Sequence, residues 1–226
     1  MVCDKVRIRF SKTGSLRFIS HHDLMRCFER MLRRAEIPFH SSQGFNPKPR
    51  LVFALPLPLG MTGIDEVVDL ELDERLPADE IYSRLARQCP VGIQILSVVE
   101  TDPRTSARVH HVLYRVPLSA TEPFSDLPKR VRAFLTAQQC WVERERPQRK
   151  RVDLRPFVRD LRLSTGALEM ELLVTPKGTA RPDEIVGCLG LTGLLAEGAV
   201  IERTAVELTE DCLLDPTVPQ KEAKLC

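Results

Sequence analysis

Val6-Arg7-Ile8-Arg9-Phe10 alternates apolar and basic side chains with a period of two, the pattern of a half-buried strand and not of a helix. A glycine-broken polar turn follows (Ser11, Lys12, Thr13, Gly14). Ser20 then stands as an N-cap with Asp23 at N3, a capping box that begins a helix. Leu24, Phe28, Met31 and Ala35 continue it at helical spacing, with Met25 and Leu32 beside them and Pro38 just past its end. Residues 51–55 and 64–72 read as strands, 78–89 as a helix with Ile81 and Leu85 inward, and 93–99 as a further strand. The order βαββαβ is the split βαβ, or ferredoxin-like, arrangement.

The second half repeats the order less clearly. Residues 109–116 read as a strand, 127–137 as a helix with Val131 and Leu135 inward, and 140–145 as a strand leading to a basic turn at 148–151. A hairpin is expected from 158–163 and 168–174 around Ser164-Thr165-Gly166, then a helix at 182–189 with Pro182 at N1, and a strand at 200–208. The fold class expected is α+β: two tandem ferredoxin-like (βαββαβ) domains with antiparallel sheets. Their limits are residues 1–102 and 103–210, with a flexible tail at 211–226.

Hydrophobic residues at 43% and charged residues at 28% suit a globular protein, and one Trp and two Tyr mean that its cores must be aliphatic. No apolar run approaches the roughly 18 residues that span a bilayer, and the first residues lack the apolar centre of a secretion signal, so a cytoplasmic protein is expected. The seven cysteines are scattered singly without a C-x-x-C, which argues against a disulfide framework and a zinc knuckle. They read as small apolar residues of a reducing compartment.

A net charge of +2 hides a strong alternation. Residues 1–50 carry +7, 51–102 carry −7, 128–162 carry +7 and 163–226 carry −6. Basic blocks at comparable places in the two halves suggest one basic face built from both, and charge of this kind speaks to partners rather than to fold.

Within the first block, Arg26, Arg30, Arg33 and Arg34 lie opposite the apolar stripe of the helix, and Arg26, Arg30 and Arg34 share a face at intervals of four. Lys12, Arg17, Lys48 and Arg50 flank that helix in the split βαβ plan. Guanidinium forks match phosphate oxygens, so RNA is the natural partner; a solvated helix face is the plainer alternative. In Gln43-Gly44-Phe45-Asn46-Pro47-Lys48-Pro49, Gly and Asn permit positive φ and the prolines stiffen the exit. Asn46 and Lys48 can there hold a phosphate or a base edge, unless the loop is only a stiff connector. In the second block Arg149, Lys150, Arg151 and Arg155 follow Arg144 and Arg146, and could extend the groove or form a solvated turn.

The histidines do not make a metal site. His21 and His22 diverge at a helix start, and His110 and His111 are expected on opposite sides of a strand. His21, at N1 and near the positive end of the helix dipole, tends to a neutral form that could act as a base. Gly187, Gly190, Gly193 and Gly198 surround a helix end and are explained by helix termination.

The run SKTGSLRFISHHDLMRCFERMLRRAEIPFHSSQGFNPKPRLVFALPLPLG, followed by Glu66 and Asp69, resembles the radical-SAM-associated (radical-SAM-linked) bacterial proteins, a family of unknown function. VDLRPFV (Val152 to Val158) and TARPDEI (Thr179 to Ile185) also fit, so that the resemblance spans about residues 4–207. It implies a domain fused behind, or encoded beside, a cobalamin-type radical-SAM enzyme. An apolar residue is more usual at His22 and a histidine at Lys48, which argues against an indispensable catalytic role for either. The tandem plan is also similar to CRISPR repeat-processing endoribonucleases, by architecture alone.

The expectation is a non-catalytic, RNA-binding or substrate-presenting accessory subunit for a separately encoded radical-SAM enzyme in RNA modification or processing. It has no cofactor, metal or membrane partner of its own. The chain has no C-x3-C-x2-C with which to hold the cluster of the radical step. Two alternatives stay open: a metal-independent endoribonuclease using His21 with Lys12 or Lys48 at the phosphate, and an adaptor whose basic face meets an acidic protein.

Overall fold

In the computed structural model, which describes residues 4–42, 47–118, 125–145 and 148–209, the chain divides into two units at Val109/His110. The expected tail lies outside the described residues. Both units are mixed α+β with mostly antiparallel strands.

The first unit runs β1 (Asp4–Lys12), α1 (His21–Arg34), β2 (Leu51–Phe53), β3 (Thr62–Leu72), α2 (Ala78–Ala86) and β4 (Ile93–Thr101), with a short 3-10 turn at Gly14–Phe18. Its strands lie in the order β4-β1-β3-β2, and every pairing is antiparallel. The alternation in β1 sends Val6, Ile8 and Phe10 to one side, where Leu24, Phe28, Met31 and Leu32 of α1 and Ile81 and Leu85 of α2 meet them. Phe10, Phe28 and Phe53 pack edge to face at 4.9 to 5.9 Å. Burying Phe28 fully contributes about 1.5–3 kcal/mol.

Ser20 caps α1: its hydroxyl accepts from the Asp23 N–H at 3.1 Å and donates to the Asp23 carboxylate at 2.7 Å. α2 stops at Ala86, three residues earlier than expected, because the chain must leave helical geometry before Pro90. At Gly92 (φ +96°) a side chain would meet the Thr13 carbonyl at 2.7 Å. That glycine lets the turn before β4 close on the end of β1.

Polar residues of β1 are not solvated as a half-buried strand suggests. Lys5, Arg7 and Lys12 are buried. The Lys5 ammonium donates to carbonyls of Pro103 and Thr105, so the segment after β4 lies across this side of the sheet.

The second unit holds β5 (Val109–Pro117), α3 (Leu127–Thr136), β6 (Trp141–Arg144), β7 (Lys150–Asp153), β8 (Val158–Ser164), β9 (Ala167–Leu173), α4 (Pro182–Cys188), α5 (Thr192–Ala196) and β10 (Glu202–Leu208). Its main strands run in the order β10-β5-β9-β8. β6 and β7 form a separate two-stranded sheet where the sequence suggested a strand and a turn. In α3 the buried residues are Leu127, Val131 and Phe134, not the expected Leu135. Pro182 stands at N1 of α4, as the sequence indicated. Gly190 and Gly198, both at positive φ, end α4 and α5.

Candidate nucleic-acid interface

The cap at Ser20 fixes the phase of α1, and with the apolar stripe turned inward Arg26, Arg30 and Arg34 point outward in a row four residues apart. They line a cleft of about 580 Å³ between α1 and the residues that follow α2, where Arg87 joins them. Cys27 and Cys89 also line this cleft. Burial pushes both thiols up, although Arg30 and Arg34 pull Cys27 back toward ionisation.

The charges of this cleft are unequally compensated. Arg26 sits 3.3 Å from Asp23, also in the lining. Arg30, Arg34 and Arg87 have no ion pair among the described residues. Arg33, which the sequence grouped with them, belongs elsewhere. It pairs with Glu29 at 3.1 Å, donates to the Pro47 carbonyl at 3.3 Å and lies over the Phe39 ring.

Lys48 is exposed and contributes to a smaller recess of about 80 Å³ with His22, Arg26 and Glu29. Its backbone is clamped to Ser42: the Ser42 N–H donates to the Lys48 carbonyl at 2.8 Å, and the Lys48 N–H to the Ser42 hydroxyl at 3.1 Å. Asn46 lies outside the described residues. Arg26 borders both the cleft and the recess, so the helix and the loop exit do share a surface.

Other candidates are placed differently. Lys12, expected at the surface, is buried and donates from Nζ to the Ile19 carbonyl at 3.1 Å, so it cannot meet a polyanion. Arg17 stacks on Phe18 at 4.5 Å. Arg50 is exposed but pairs with Glu71 at 3.2 Å. In the second unit Arg149 pairs with Glu143 at 2.8 Å, Lys150 is exposed, and Arg151 lies over the Trp141 ring at 5.1 Å. Arg155 is a structural pin rather than a surface group. Its guanidinium donates twice to the Leu135 carbonyl and once to that of Val158, joining α3 to β8.

His21 occupies N1 of α1, its ring edge-on to Phe53 at 5.1 Å and its Nδ1 buried without a hydrogen-bond partner. Burial lowers its pKa first, then His22 and Lys12. His110 and His111 correct the expectation of opposite faces, since their Nδ1 atoms lie 2.9 Å apart at the start of β5. No group of three or more metal-ligating side chains occurs among the described residues. No helix among them is long and apolar enough to cross a membrane.

Residues 5–182 match the model of a family described as an uncharacterized protein conserved in bacteria (DUF2344). The chain belongs to that family. No curated protein matches it. A crystal structure of an unknown protein from Galdieria sulphuraria is similar over 88% of this chain and 96% of that one, at 14% identity and a TM-score of 0.29.

Family membership covers α1 and the cleft, and within them the sequence reading missed Arg87 and the thiols of Cys27 and Cys89. Arg87 is one of three arginines among ten acidic residues in a stretch whose net charge is −7, and that balance hid it just past a helix end. Cys140 and Cys188 were read as isolated residues. The Cys140 thiol donates to Cys188 Sγ at 3.3 Å, bringing the start of β6 to the end of α4, and Cys188 is exposed.

Proposed function

We propose that this chain is a non-catalytic, cytoplasmic RNA-binding or substrate-presenting subunit that serves a cobalamin-type radical-SAM enzyme, and that the arginine cleft of the first unit receives the RNA. The observation that carries the binding reading is the convergence of Arg30, Arg34 and Arg87, none of them ion-paired among the described residues, on one cleft. Three uncompensated guanidinium groups repel one another, and a phosphodiester relieves that repulsion while satisfying their forked donors. The enzyme partner rests on the resemblance at residues 10–60, 152–158 and 179–185. The sheet orders β4-β1-β3-β2 and β10-β5-β9-β8, each with helices between the strands, support reading both units as ferredoxin-like, with the β6–β7 hairpin as an insertion in the second.

A nuclease would need a base, a proton donor and charge stabilisation at the phosphate. Neutral His21 meets only the first need; buried Lys12 is spent on the Ile19 carbonyl, which leaves exposed Lys48 alone to steady the phosphate. Incubating the purified chain with labelled cellular RNA tests the reading. Retention without cleavage, weakened by Arg30→Glu, is expected. Cleavage that disappears in His21→Ala would establish the endoribonuclease, and no retention at all would leave the adaptor.

A further inference from the structure

The β6–β7 hairpin lies off the main sheet of its unit and carries the only tryptophan of the chain. Directly opposed residues of an antiparallel ribbon share a face. Trp141↔Asp153 and Glu143↔Arg151 therefore lie on one face, and Val142↔Val152 and Arg144↔Lys150 on the other. The second face is the anchored one: both valines are half-buried, and Arg144 holds Glu184 at 2.6 Å and the Thr179 carbonyl at 2.9 Å. The first face is open, and Trp141 is 49% exposed on it.

Each polar need on that open face is already met, except one. The Trp141 indole N–H donates to Gln139 at 2.9 Å, which leaves only ring surface to be covered. Glu143, the acid opposite Arg151, is taken by Arg149 at 2.8 Å. Arg151 is left with the indole, 5.1 Å from its centroid, and has no ion pair among the described residues. The face thus presents an aromatic plane backed by an uncompensated guanidinium. A nucleotide supplies both complements, a base for the plane and a phosphate for the charge. A duplex hides the faces of its bases, so the strand must be unpaired.

We propose that Trp141 and Arg151 form a stacking site for an unpaired base of single-stranded RNA. The base covers the exposed part of the indole, and Arg151 engages the adjoining phosphate. The inference rests on the RNA-binding reading and narrows its ligand to single strands.

Because Trp141 is the sole tryptophan, the fluorescence of the full chain reports on this site directly. The probes are a short mixed-sequence oligoribonucleotide and an abasic strand of equal length and charge. Quenching by the first at concentrations where the second has no effect is expected. Trp141→Ala should weaken filter retention about fivefold or more, and Trp141→Phe much less. Arg151→Glu leaves the indole in place and should weaken binding and quenching together. Equal quenching by the abasic strand, or unchanged affinity in both Trp141→Ala and Arg151→Glu, overturns the stacking site. Arg30→Glu separates this site from the cleft. If it weakens retention while the hairpin variants do not, stacking fails alone; if the hairpin variants weaken retention and it does not, the cleft fails alone. Quenching by polyglutamate that the oligonucleotide cannot displace overturns the site in favour of an acidic protein partner.

Discussion

Arg7 Nε lies 2.8 Å from Asp69 Oδ1 across β1 and β3, and the two side chains are 7% and 1% exposed. Asp69 also accepts from the Ala107 N–H at 3.1 Å, tying the segment after β4 to the sheet. Removing one charge of a buried pair costs more than replacing both, because the remaining ion keeps its desolvation penalty. Asp69→Asn should therefore destabilise the chain by about 3–5 kcal/mol in denaturant unfolding, whereas Arg7→Met with Asp69→Leu should recover much of that loss. Equal losses in the single and the double variant would refute this account of the pair.

Salt dependence tests the cleft. Replacing Arg30 and Arg87 with Gln should flatten the plot of log affinity against log salt by about 0.7 for each phosphate of a single strand that is no longer neutralised. Melting temperature should hardly move, since neither side chain has an ion pair to lose among the described residues and exposed positions usually shift stability by about 0.5 kcal/mol or less. An unchanged slope would remove the cleft from the interface.

Arg155 should behave in the opposite way. Its three hydrogen bonds to main-chain carbonyls hold α3 and β8, and bonds to a charged group contribute about 1.5–3 kcal/mol each at most. Arg155→Ala is expected to lower stability by about 2–4 kcal/mol while retention of RNA by the folded fraction stays level. Lysine should not rescue it, because a single ammonium cannot span two carbonyls as the fork does.

Acid should weaken the second unit through His111. Burial, then His110 and Arg159, lower its pKa from 6.5 to about 4, although Glu171 stands 3.3 Å away. In the unfolded chain the same imidazole takes its proton near pH 6.5. Between these values the unfolded state binds more protons, so stability is complete above about pH 6.5 and falls as the pH drops toward 4. After allowance for solvent screening the loss is about 1–2 kcal/mol. Thermal melts across that window should show it, and His111→Gln should flatten the dependence.

Cys140 and Cys188 should join when a small-molecule disulfide is supplied. Thiolate of one cysteine attacks the reagent, the second cysteine displaces it, and the chain loses two hydrogens while the reagent is reduced to thiols. Partial desolvation of its sulfur and the neighbouring Cys140 thiol push Cys188 up to about 12, so the reaction should be slow at neutral pH and faster as the pH rises. Peptide mapping without reductant checks the link. Mixed disulfides at both positions, with no bond between them, would count against it.

Local pattern carried much of the secondary structure. The period of two at Val6–Phe10 and the box at Ser20–Asp23 are properties of neighbours in sequence, and β1 and α1 formed where they predicted. The outward row Arg26, Arg30 and Arg34 was legible for the same reason, since helical spacing alone assigns a face. What lay beyond reach was the fate of each charge. A period of two says that Lys5, Arg7 and Arg9 share a side of β1, but not that the chain after β4 covers that side and buries Lys5 and Arg7. Arg155 and Arg151 look alike in one basic run, yet one meets carbonyls of α3 and β8 and the other meets only an indole. Arg87 joined the α1 arginines, and Cys140 met Cys188, through packing that brings distant residues together. Periodicity is set by the geometry of the local backbone, whereas pairing and desolvation depend on which elements become neighbours, and only the tertiary structure decides that.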